Sequence, residues 1–216
     1  RAFRDAVFKR AHRLGSVNSV NVVRLLVQVV HYFYAYLRLP EGRPPPAGGL
    51  ERAPRARRRA VRRRWAGGHL AAGLLAQQMG LPITLLAATN ANDALHRLLA
   101  TGELRAHGRV SQTASPSMDI QVPYNVWRLL FVASGGDAAA VRGWQADFGA
   151  GGLTLPPRVR EWLRVRVASA AVDDAFTLRT MLETHQRCGY LLDPHTAVGV
   201  AAAQIAAGVG AALSSP

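Results

Sequence analysis

Seven uncharged residues, Ile83–Thr89 (ITLLAAT), lie between Gly80-Leu81-Pro82 and Asn90-Ala91-Asn92. A short apolar run with turn formers on both sides reads as a strand buried in a sheet. The segment before it, 69–79, reads as a helix closed by Gly80 and Pro82. The segment after it, 93–100, follows Asn92 as a cap and stops short of Gly102. Strands and helices in this order predict a parallel sheet, so the fold class is α/β.

Further helices fit 123–133, 137–148, 158–165 and 173–187. Asp173 and Asp174 suit the positive end of the last. The alanine-rich tail, 196–213, is helical until Gly208 and Gly210. Near the start, Val22–Leu37 (VVRLLVQVVHYFYAYL) is apolar nearly all round, and its length favours a buried helix over a strand. Pro44, Pro45 and Pro46, followed by Gly48 and Gly49, break that pattern. Arg52, Arg55, Arg57, Arg58, Arg59, Arg62, Arg63 and Arg64 come next, and they supply eight charges toward a net charge of +14. Burying unpaired charge costs on the order of several kcal/mol per group, so 57–64 is not expected as a buried parallel strand. The chain then divides into 1–39, a Pro/Arg-rich loop or disordered insert over 40–66, and an α/β unit over 67–216.

Several function classes lack support. One cysteine, Cys188, excludes an internal disulfide framework and suits a reducing compartment. No apolar run reaches the roughly 18 residues that span a bilayer, so no membrane partner is expected. The first residue is Arg1, nothing there reads as a signal peptide, and a cytoplasmic location with sequence upstream is the expectation. Seven histidines are scattered with no HExxH arrangement. His185 and Cys188 share a helical face, but two ligands do not make a zinc site, so no metal is expected. Neither Ser16 nor Ser134 sits in G-x-S-x-G. The arginine run could hold acidic partners or nucleic acid, and a non-catalytic interaction protein acting through Arg52–Arg64 is the alternative function. No aromatic is interleaved before Trp65 and no nucleic-acid motif accompanies the run, so a solvated loop is the preferred reading.

Three separated strings carry more information. They are Ser16-Val17-Asn18-Ser19-Val20-Asn21, then Ser117-Met118-Asp119-Ile120-Gln121-Val122, then Gly189 through Val198 (GYLLDPHTAV). Ala72-Gly73, Met79 through Ile83 and Ala88 through Asp93 lie between the first two. In this order and spacing they resemble the threonine synthase family. The string Asp119 through Asn125 (DIQVPYN) resembles the vertebrate threonine synthase-like 2 proteins in particular. The resemblance runs over most of 8–203, except the insert. It implies a partial fold type II, tryptophan synthase β-like enzyme that uses pyridoxal 5′-phosphate (PLP), with a Rossmann-like sheet and flanking helices. It implies a small phospho-amino-acid substrate: phosphate is eliminated from O-phosphohomoserine or O-phosphothreonine, leaving 2-oxobutanoate, phosphate and ammonia. PLP withdraws electrons from the substrate's α-carbon and makes its proton removable. A homo-oligomer is open for the complete enzyme.

The same resemblance implies the site residues. Asn18, Ser19 and Asn21 match the string that approaches cofactor or substrate, and they equally suit a cap on the helix from Val22. Gly67, Gly68 and His69 stand at the phosphate cradle, where the family has a Gly-rich turn ending in Asn or Asp at a helix N-terminus. His69 replaces that Asn or Asp, and the arginine run replaces the preceding strand. Lys9 is the only lysine, and it matches a position away from the cofactor. The Schiff-base lysine is therefore expected upstream of these residues, and the chain alone is expected to be inactive, with no catalytic residue assigned. Apolar surface should be exposed where an upstream part would pack.

Overall fold

In the computed structural model the structure describes residues 5–13, 21–38, 58–59, 68–106, 108–122 and 124–208. Their helices are α1 (Ala6–Ala11), α2 (Val22–Leu37), α3 (Gly68–Gln78), α4 (Ala94–Thr101), α5 (Val126–Ala133), α6 (Ala138–Gly149), α7 (Pro157–Arg164), α8 (Asp174–Cys188) and α9 (Pro194–Ala206). The strands are β1 (Arg58–Arg59), β2 (Ile83–Thr89), β3 (Glu103–Leu104), β4 (Leu153–Thr154) and β5 (Val167–Ala171).

β2 is the centre of a three-stranded sheet in the order β1-β2-β5. Both neighbours run parallel to it. Arg58 and Arg59 pair with Ile83 and Thr84, and Leu85 through Thr89 pair with Val167 through Ala171. Side chains alternate between the faces of a strand, and both faces of β2 are covered. Ile83, Leu85 and Ala87 join a large core with residues of α2, α3, α4 and α5. Leu86 and Ala88 face a second core built with Ala170, Val172, Val198, Ala201 and Ala202. Helices on both faces explain why the strand carries no polar alternation. β3 and β4 form a separate antiparallel pair.

The helix ends follow from local chemistry. Asp137 accepts from the backbone N–H groups of Ala139 and Ala140, and Asp173 accepts from that of Phe176. Gly102 and Gly189 end α4 and α8 in the left-handed conformation that glycine tolerates best. Asp193 accepts from Thr196 N–H, and α9 therefore starts at Pro194, ahead of the expected 196. The α4 cap position falls to Asp93, and Asn92 is used elsewhere. Gly73 permits the tightest approach. A Cβ there would lie 2.6 Å from Leu85 Cδ2 and 2.8 Å from Tyr32 Oη.

One expectation changes. Arg58 and Arg59, inside the stretch read as a loop, form a two-residue parallel ladder with β2. A ladder uses only backbone N–H and C=O groups, so arginine does not prevent it, and no described strand lies beyond β1. The rest of 40–66 lies outside the described residues, with the remaining arginines of the run. β5 answers to no expectation, because its small residues (VASAA) carry little strand signal. They fit because α9 packs against that side with alanines of its own.

Candidate functional site

In a parallel α/β sheet ligands bind beyond the carboxyl ends of the strands, where helices begin. Here α3 follows β1, α4 follows β2 and α8 follows β5. The backbone N–H groups that start these three helices are therefore gathered at one edge of the sheet.

That edge is organised by Asn90, the residue after β2, which is fully buried. Its side-chain amide donates to Thr113 Oγ1 at 2.6 Å, to Asp119 Oδ1 at 2.7 Å and to Ser115 Oγ at 3.2 Å. Its carbonyl oxygen accepts from Asn92 N–H at 2.9 Å. Asp119 accepts from three members of the group, Asn90, Asn92 and Thr113. Oδ1 takes Thr113 Oγ1–H at 2.7 Å and Asn92 Nδ2–H at 3.1 Å, and Oδ2 takes Thr113 N–H at 2.9 Å. Asn92 also donates to Ser111 C=O and accepts from Ser111 N–H, each at 2.9 Å. Asp174, in the first turn of α8, accepts from Ala114 N–H at 3.0 Å. A carboxylate meeting several donors makes stronger hydrogen bonds than a neutral acceptor. The network thus ties the β2–α4 loop to residues 111–119 and to the start of α8.

Two of the strings read from the sequence, Ala88 through Asp93 and Ser117 through Val122, meet in this network. Neither Asn90 nor Asp119 was singled out as a site residue. Their joint presence in those strings was the available signal. The third string does structural work on the far face. Gly189 closes α8, Asp193 caps α9, and Val198 packs beneath β2.

The expected site residues fare unevenly. Asn18, Ser19 and Gly67 lie outside the described residues. Asn21 is exposed and caps α2, accepting from Val23 N–H at 2.9 Å. Gly68 is buried at the first turn of α3. His69 is buried beside it, with its imidazole stacked on Tyr32 at 4.7 Å between ring centroids. Tyr32 Oη–H donates to the His69 carbonyl at 3.0 Å. The His69 ring therefore faces α2. Asn21 lies three turns from Tyr32 along α2, about 16 Å by helical rise. Lys9 is exposed on α1. Among the described residues no three His, Cys, Asp or Glu side chains could hold a metal ion, and no helix is long and apolar enough to cross a membrane.

This sheet, covered on both faces and with helix starts at its carboxyl edge, is the α/β architecture of fold type II, the class of the threonine synthases. The chain matches a PLP-bound threonine synthase from Brucella melitensis with a TM-score of 0.80 and 39% identity, over 94% of this chain and 41% of that one. By sequence it is 37% identical over 199 residues to threonine synthase-like 2 of Homo sapiens, and 38% identical over 213 residues to the threonine synthase of Pseudomonas aeruginosa. Those matches cover 92% and 94% of this chain, and 40% and 41% of the relatives. No family model matches. The chain is similar over nearly its whole length to threonine synthases and threonine synthase-like 2 proteins, and it spans about two fifths of the length of the relatives it matches.

Proposed function

We propose that these residues form part of a PLP-dependent phospho-lyase that eliminates phosphate from O-phosphohomoserine or O-phosphothreonine, giving 2-oxobutanoate, phosphate and ammonia. The observation that carries the reading is the ordered carboxyl edge. Asn90 and Asp119, from two family strings, hold that edge together at the carboxyl end of β2. The similarity to threonine synthase-like 2 over 92% of the chain supports the same substrate class. On this reading 67–216 is part of the large PLP-binding domain, 1–39 is the end of the small-domain segment with its connecting helix, and 40–66 is an insert. One free, exposed thiol, Cys188, suits a reducing compartment.

The residues present fit the cofactor at one end only. The N–H groups at the start of α3, where Gly68 stands, suit its phosphate, and Gly67 and His69 remain candidates beside it. Asn18, Ser19 and Asn21 remain candidates for polar contacts to cofactor or substrate. The aldehyde end needs an amine, and the sole lysine, Lys9, is exposed on α1. Arginine stays protonated and cannot take that role. No chemical step is assigned to this chain, and the chain unaided is proposed to be inactive.

A thermal melt tests the binding half of this reading. Ligands that bind the folded state raise its melting temperature. Pyridoxal phosphate is expected to raise it, and unphosphorylated pyridoxal to leave it unchanged. Equal shifts from both would contradict a phosphate site at the carboxyl edge.

A further inference from the structure

Helix α8 turns a polar side inward. Thr177 and Thr180 are its buried residues, while Leu178 and Leu182 are 54% and 56% exposed. Thr180, Glu183, Thr184 and Arg187 follow at i, i+3, i+4 and i+7, so they share one face of the helix. α9 packs against α8 and contributes Gln204. Glu183, Thr184, Gln186, Arg187 and Gln204 line a cavity of about 410 Å³. That is within the ~300–1,000 Å³ of small-molecule sites.

Two features of this cleft call for a ligand. The first is unmet hydrogen bonding. Gln204 Oε1 is buried with no hydrogen-bond partner, and so is Thr180 Oγ1, one turn before Thr184. Leaving a buried polar atom unpaired is costly, so a partner is expected. The second is charge. Glu183 and Arg187 are four apart, in the order that favours an ion pair along a helix. No ion pair joins them, and neither has a partner among the described residues. An acid and a base held unpaired at one cavity match a ligand that carries both charges. An α-amino acid does so, with its ammonium toward Glu183 and its carboxylate toward Arg187. A hydroxyl on its side chain would then donate to Gln204 Oε1. The rest of the lining, Thr184 and Gln186, is polar too, which favours such a side chain over an apolar one. Glu183 stands nine residues along α8 from Asp174, about 14 Å by helical rise from the carboxyl edge. The lyase reading is therefore not needed for this inference.

We propose that the cleft between α8 and α9 binds a free α-amino acid with a short polar side chain, held by Glu183, Arg187 and Gln204. Isothermal titration calorimetry of the full chain with L-serine, in the absence of PLP, tests it. Saturable binding of one molecule per chain is expected. Ethanolamine lacks the carboxylate and 3-hydroxypropanoate lacks the ammonium. Each is expected to bind about tenfold more weakly, the loss of one charge-assisted hydrogen bond. L-Alanine, which lacks the hydroxyl, should also bind more weakly than serine. Glu183→Gln and Arg187→Gln should each weaken serine binding by about the same tenfold factor. Circular dichroism should show unchanged helix content in both. Leu182→Gln, on the exposed side of α8, should leave serine binding as it is. Absence of serine binding would overturn the proposal. Equal binding of serine, ethanolamine and 3-hydroxypropanoate would overturn it too, as would serine binding undiminished in both charge variants.

Discussion

The contact around Gly73 and the network around Asp119 both fix β2, and they do so by opposite means. At Gly73, α2, α3 and β2 meet by close packing, with Leu85 and the Tyr32 ring and hydroxyl leaving no room for a methyl group. At Asp119, the carboxyl end of β2 is tied by hydrogen bonds to residues 111–119, with little apolar surface involved. Shape complementarity positions the strand within the sheet. Polar satisfaction positions the loops at the edge where ligands bind in such folds. A packed contact fails when volume is added. A polar network fails when one member is removed and its partners are left unpaired.

The largest effect is expected at the packed contact. Gly73→Leu should cost about 3 kcal/mol, the upper end for overpacking, read as a lower midpoint in urea unfolding. Asp119→Ala comes next. It removes the acceptor for Asn90, Asn92 and Thr113, and should cost about 2 kcal/mol. Combining it with Asn90→Ala should cost clearly less than the sum of the two, because they share one network. Additivity would break the claim that the edge acts as a unit. Tyr32→Phe sharpens the comparison from the packed side. It keeps the ring stacked on His69 and loses only the bond to the His69 carbonyl, so about 1 kcal/mol is expected.

The smallest effect is at the surface. The Arg164 guanidinium, 2.8 Å from Glu161, holds that carboxyl below the usual carboxylate range. A carboxylate depressed in the folded state stabilises above its unfolded pKa, and the contribution is lost as pH falls through the folded value. The pair is solvated, so screening keeps the effect small. Glu161→Gln should leave the melting temperature at pH 7 nearly unchanged and slightly flatten its fall in acid.

Much of this was legible in the residues, for physical reasons. α2 and β2 have the bounds that their apolar runs mark. Asp137 and Asp173 announce helix starts because a short carboxylate reaches the first free N–H groups. β5 escaped notice because alanine and serine carry weak strand preference, and what makes VASAA a strand is the neighbouring β2. Charge hid the strand at Arg58–Arg59, since a backbone ladder leaves no mark in side-chain pattern. The Asn90–Asp119 tie spans 29 positions, and periodicity does not report contacts at that range. The family strings flagged both residues without saying that they touch. His69 shows the converse. Its place at the α3 start was readable, and the stacking that turns its ring onto Tyr32 was not.

The absence of a suitably placed amine is tested most directly by turnover. The purified chain is mixed with pyridoxal phosphate and O-phosphothreonine, and inorganic phosphate is followed over time. Release no faster than in the protein-free control is the predicted result. Sustained release that depends on the chain, and persists in Lys9→Arg, would contradict the account.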